Sequence, residues 1–190
     1  MILPIVAYGH PVLKKIAQEI PKDYPGLKEL IADMWETMYQ GDGVGLAAPQ
    51  VNRSIRLLVI DTSAYKEKYP EAGEFKRVFI NPKIYKVEGE EYAFNEGCLS
   101  VPGIREDVVR KPVIYLRYFD DQFQEHDEKY DGVVARVFQH EYDHLDGILF
   151  VDRISNLRKI LLKGKLNDIS KGNVEVDYKM LFQLLKKGRK

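Results

Sequence analysis

Residues 133–147 read VVARVFQHEYDHLDG. Val134, Val137, Phe138 and Leu145 recur at helical spacing, which predicts a helix from about Val133 to Asp146. Asp131 stands where a helix cap is expected, and Gly147 is a natural terminator. Glu141 shares the apolar stripe, where an unpaired carboxylate is costly. On that helix His140 and His144 lie one turn apart and about 40° round, so both imidazoles can face one ion. Glu141 sits about 100° from His140, beside the same point without being a ligand. This is the H-E-x-x-H arrangement, two metal nitrogens with a carboxylate placed for proton transfer. The competing reading is a pair of hydrogen-bonded helix histidines with a glutamate of no special role.

The third ligand discriminates among chemistries. The longer HExxHxxGxxH pattern finds Gly147 in place but Phe150 where its last histidine belongs. A glutamate ligand from a later helix has no candidate before Glu175. Upstream, Cys98 stands in the run NEGCLSVPG. Two imidazoles and a thiolate would leave a fourth position open, the mark of a catalytic ion and not a structural one. A lone cysteine can equally pack as a small inert hydrophobe, and the residues alone leave both readings open. His10 and His126 are expected to serve local structure.

Working outward, residues 27–38 carry Leu27, Leu30, Ile31, Met34, Trp35 and Met38 in one helical stripe, opened by Pro25-Gly26 and stopped by the glycines of GDGVG. Residues 55–60 read as a buried strand. Residues 61–76 read as a polar excursion on the surface. Two short strands are expected at 78–80 and 84–87, broken by Asn81-Pro82. A further strand at 113–119 should turn at Asp120-Asp121 into another. A third helix is expected over 155–162, and the chain after Gly164 has no clear pattern. GVGLAAPQ, residues 43–50, lacks the Lys-Ser/Thr of a phosphate-binding loop and follows a helix, so it predicts a tight turn that brings the Gln50 amide to a pocket. The expected fold is α+β, a single compact domain over residues 1–190 with antiparallel or mixed sheets around a central metal-binding helix.

The totals agree with that expectation. The chain has 190 residues, 45% of them hydrophobic, with 29 basic and 29 acidic side chains, so net charge offers nothing to nucleic acid or a membrane surface. KKGRK at residues 186–190 reads as a solvated tail. One cysteine permits no intrachain disulfide, and the start MILPIVAYGHP lacks a signal peptide's pattern, so the expected compartment is the cytoplasm.

Three segments together resemble the peptide deformylase family, whose motifs GxGLAAPQ, EGCLS and QHExDHLxG stand complete at residues 43–50, 96–100 and 139–147. GHPVLKKIA, residues 9–17, is similar to the family's N-terminal segment, with His10 where an aspartate is common. The resemblance implies hydrolysis of the N-formyl group on the initiator methionine of newly made polypeptides, releasing formate. It implies Cys98, His140 and His144 as ligands of one divalent ion. That ion is Fe2+ in the cell of bacterial members, with Zn2+, Ni2+ or Co2+ possible in preparations. Glu141 would be the acid/base, with Gln50 and the Leu99 N–H stabilising the oxyanion. Gly43, Val44, Gly45 and Leu46 would contact the peptide from one side, Glu96 and Gly97 from the other. Arg105 would support the site through Glu96. The resemblance further implies an extended bound peptide, an apolar pocket for methionine, action near the ribosome exit and a bacterial cytoplasmic monomer. Residues 65–76 form an insertion relative to the shortest members.

Overall fold

A computed structural model describes residues 1–183; the basic run at 186–190 lies outside the described residues. After β1 (Ile5–Val6), the stripe of residues 27–38 forms α1 (Leu27–Gln40), which buries Leu30, Ile31, Met34 and Met38 and ends at Gly41. The apolar segments that follow build a sheet. It contains β2 (Gly45–Ala47), β3 (Leu57–Asp61) and β4 (Lys76–Glu88). A hairpin then interrupts it, β5 (Tyr92–Cys98) and β6 (Val101–Arg110), before β7 (Val113–Phe119) and β8 (Glu125–Tyr130) complete it. The large sheet runs in the order β2-β3-β4-β7-β8, with every neighbouring pair antiparallel. Against it lies α2 (Gly132–Leu145), followed by α3 (Asn156–Ser170) and β9 (Met180–Leu181), which pairs in parallel with β1. The expected α+β class is borne out as a compact domain of mixed helix and sheet, with the metal-binding residues on α2 and β5.

Several local expectations change. The strands at 78–80 and 84–87 are one strand, β4. Asn81 does not break it but adopts a left-handed φ of 50° at a register shift, and its side-chain amide bonds both the N–H and the carbonyl of Ile20. This is a bulge pinned from outside. α3 continues through Gly164 to Ser170, because Leu162, Leu166 and Ile169 form a buried stripe that outweighs one exposed glycine. Its cap is Ser155, whose side chain accepts from the Arg158 N–H, whereas Asp131 at the start of α2 makes no such bond. Residues 61–76 are not merely a surface excursion. Thr62 and Ala72 are buried, and Tyr65, Tyr69 and Phe75 pack against the core around Phe79 and Phe138.

His10 caps a short 3-10 turn by accepting from the Val12 N–H. His126 stacks on Tyr118 and bonds Asp120. Both histidines serve local structure, as expected. Among the described residues no helix is long and apolar enough to cross a membrane.

Candidate metal centre

Two elements deliver the donors. α2 is buried along nearly its whole length, and it carries His140 and His144 one turn apart with ring centroids 5.3 Å from each other. Its termination is fixed by Gly147, at φ 73°, where an added Cβ would lie 2.8 Å from the Lys14 backbone. The hairpin delivers Cys98 at the end of β5, where the register shifts and the chain turns through Leu99-Ser100. The donor atoms of Cys98, His140 and His144 all lie within 4.8 Å of one another, and Cys98 Sγ is 3.3 Å from His144 Nε2.

These residues fit a divalent metal ion. One thiolate and two imidazoles suit zinc, iron, nickel or cobalt. His140 presents its Nε2 because its Nδ1 is bonded to Glu96 Oε2 at 2.9 Å, the carboxylate–histidine support that metal-binding histidines commonly have. Cys98, His140 and His144 thus form a metal-binding site. Phe150, which stands where a third histidine would extend the motif, stacks on the His140 ring at 5.9 Å.

Glu141 points into the same space. It is buried, and its Oε2 has no hydrogen-bond partner among the described residues. Burial pushes its carboxyl up to about 7, with His140 opposing the rise and the negative Glu96 adding to it. Gly45 is needed for this placement: a Cβ there would stand 2.6 Å from Glu141 Oε1.

Gln50 closes the back wall. Its Oε1 accepts from the Ala47 N–H, and its Nε2 lies 3.4 Å from both Cys98 Sγ and Ser100 Oγ. Leu99 packs its side chain beside Gly41 and Gly43, and its N–H makes no backbone hydrogen bond among the described residues. A cleft of about 490 Å³ runs past these groups, lined also by Gly43, Val44, Gly45, Gly97, Arg105, His140 and Glu141. A smaller recess of about 60 Å³ adjoins it between Val44, Phe94, Val137 and Tyr65. Leu46 does not reach the cleft with its side chain, which is fully buried in the core beneath α1.

The expected link from Arg105 to Glu96 is absent. Side chains alternate faces along a strand, and the register sets Gly97 opposite Arg105 and Glu96 opposite Glu106. Arg105 therefore lies on the exposed face, where it bonds the side chain and carbonyl of Asn95. The inward position of the same parity is Arg110, which grips Glu96 with two bonds of 2.7 and 2.9 Å and reaches Asp143 at 2.7 Å. Arg153 holds Asp143 from the far side, and Arg136 ties the assembly to the carbonyls of Tyr92 and Val108. Burial alone would raise the Glu96 carboxyl. The bonds from Arg110 and His140 outweigh it and hold Glu96 down at about 2. The Glu96 carboxylate is thus committed to the ligand His140. Arg110 and Asp143 escaped the reading of the sequence, although an arginine four residues from Glu106 in an alternating strand was the available sign.

Comparison with known proteins agrees with this geometry. The family model for polypeptide deformylase matches residues 2–160. The chain is 54% identical to the peptide deformylase of Christiangramia forsetii, with both chains covered in full. It is 53% identical to that of Flavobacterium johnsoniae, again over both full chains. Among solved structures, the peptide deformylase of Legionella pneumophila superposes with a TM-score of 0.79 at 37% identity, covering 91% of this chain and 98% of that one. That of Thermotoga maritima gives 0.73 at 41% identity, over 82% and 99%. The chain belongs to the polypeptide deformylase family and is a metal-dependent hydrolase that removes N-formyl groups from N-formyl-methionyl peptides.

Proposed function

We propose that the substrate is the formylated initiator methionine of newly synthesised polypeptides, cleaved at the Cys98–His140–His144 centre by the roles set out below. The observation that carries this reading is the buried Glu141 carboxylate, whose Oε2 has no partner among the described residues, beside three convergent metal donors. When bound, the ion supplies Lewis acidity, making water a nucleophile at neutral pH and polarising the formyl carbonyl. Glu141 takes a proton from the attacking water and returns it to the departing amine nitrogen. The Leu99 N–H and the Gln50 amide donate to the oxygen on which negative charge grows. Glu96, fixed by Arg110, holds His140 in the tautomer that turns Nε2 toward the ion.

The peptide lies extended against β2. Among the described residues that strand has a neighbour only on its β3 side; Val44 turns its carbonyl to the Asp61 N–H of that side, so the Gly45 backbone, bordering the cleft, faces outward to an added strand. The recess between Val44, Phe94 and Val137 takes the methionine side chain. Gly97 and Arg105 face the peptide from the other wall. The enzyme works as a monomer in a bacterial cytoplasm, near the ribosome exit, with ferrous iron as the native ion.

Formate release from a formyl-methionyl peptide tests this reading. Activity should vanish on chelation and return with a divalent metal. The rival in which Cys98 attacks carbon predicts activity that survives chelation and dies on alkylation alone.

A further inference from the structure

The chain beyond α3 turns back across the molecule, outside the residues that the family model matches. From Asn173 to Met180 exposure alternates, with Val174, Val176, Tyr178 and Met180 on the sheltered side. The segment is anchored at its end, where β9 pairs with β1 and the Ile5 and Ala7 N–H groups donate to Lys179 and Leu181. Anchored there, Tyr178 reaches the turn between β5 and β6. Its hydroxyl donates to the Leu99 carbonyl at 2.8 Å, and its ring packs with Leu99 against the core cluster of α1 and β3.

We propose that Tyr178 is a positioning residue for the deformylase reaction: by holding the Leu99 carbonyl, in the peptide unit after the Leu99 Cα, it restrains rotation about that Cα and so keeps the N–H of the preceding unit facing the developing oxyanion. The inference rests on the reading of the Leu99 N–H as that donor. The turn at Leu99-Ser100 is also held by the pairing of Cys98 with Val101 across its base, by the Tyr8 N–H on the Ser100 carbonyl, by Gln50 on the Ser100 hydroxyl, and by the Leu99 side chain in the space left by Gly41 and Gly43. None of these fixes the carbonyl of Leu99 itself. A residue whose N–H must stay unspent for substrate gains its orientation from its other groups, and the only hydrogen bond to its carbonyl among the described residues comes from Tyr178. Preorganised donors stabilise a transition state because they need not reorient as charge develops. Burial pushes the Tyr178 hydroxyl up to about 12, with the nearby Cys98 adding to the rise, so the group stays protonated and able to donate across the working range.

Tyr178→Phe keeps the ring and removes the donor. In the full-length enzyme loaded with metal, kcat should fall about fivefold, the effect of one neutral hydrogen bond, with KM little changed. Melting temperature and metal content should stay near wild type. In the zinc-loaded protein the Leu99 amide 1H–15N resonance should shift, a readout independent of turnover. An unmoved Leu99 resonance overturns the proposal directly. A shifted resonance with unchanged kcat overturns it through the reading of Leu99 and leaves the metal and Glu141 assignments standing. A loss confined to KM, or a loss of bound metal, would assign Tyr178 to substrate packing or to Cys98 and also overturn it.

Discussion

Gly45→Ala is the smallest change that should disable the centre without touching a ligand or a proton carrier. An alanine Cβ built at this position lies 2.6 Å from Glu141 Oε1, 2.7 Å from Cγ and 2.9 Å from Cδ. Ordinary van der Waals contact begins near 3.4 Å, so about 0.8 Å of displacement is needed at the carboxylate end. Glu141 cannot supply it freely, since Val137, Phe138 and Leu145 on its own helix are buried. Nor can Gly45 withdraw, because it is paired with Ile60 at the end of the large sheet. Misplacing a proton carrier by about 1 Å costs on the order of a hundredfold in rate. Overpacking a filled site costs roughly 1–3 kcal/mol of stability. The assay is formate release at saturating formyl-methionyl peptide, with metal content and melting temperature measured on the same preparation. The expected outcome is a protein that is folded and metal-loaded, with kcat down by about two orders of magnitude. Near-normal kcat in that protein would refute the claim that Gly45 makes room for a working Glu141.

Replacing Arg110 with alanine removes the cation shared by two buried carboxylates, leaving Glu96 with His140 and Arg136 and Asp143 with Arg153 alone. Breaking a buried pair costs about 3–5 kcal/mol, so the melting temperature should fall by about 10 °C, read by calorimetry. Acid sensitivity should also centre on Glu96. Its folded pKa of about 2 lies below the ordinary 4.5, so its stabilisation is complete above 4.5 and is lost as pH falls through about 2. At about 1.36 kcal/mol per pKa unit this is roughly 3 kcal/mol. In the metal-free protein, Glu96→Gln should flatten the fall in unfolding free energy across that window, measured by denaturant titration; an unchanged slope would assign the acid lability elsewhere. Stripping the ion should lower the melting temperature, and restoring it should raise the temperature in a concentration-dependent way, since the ligands converge only in the folded chain.

How far the sequence could be read depended on whether inward positions were apolar. α1, β3, β7 and α2 are legible because Met34, Leu58, Leu116 and Phe138 follow simple periods. β6 is not, because its inward residues alternate apolar and charged: Ile104, Glu106, Val108, Arg110. Charges at buried positions mask a strand, and here they mark the scaffold of a metal ligand. The same masking hid Arg110 as the partner of Glu96, a place that the family resemblance had given to Arg105. The ligands and Glu141 were recognisable because their chemistry depends on spacing within one helix and on a short motif. Tyr65 and Tyr178 were not. Their places at the cleft come from segments that fold back from distant parts of the chain, and no local pattern encodes such a return.

Glu141→Ala, with metal analysis and formate release measured on the same protein, separates the ligands from the proton carrier. The expected result is one ion per chain, an intact fold and turnover nearly abolished, since Cys98, His140 and His144 remain in place. Full turnover by that variant would contradict the assignment of Glu141, and loss of the ion with an intact fold would contradict the three-residue ligand set.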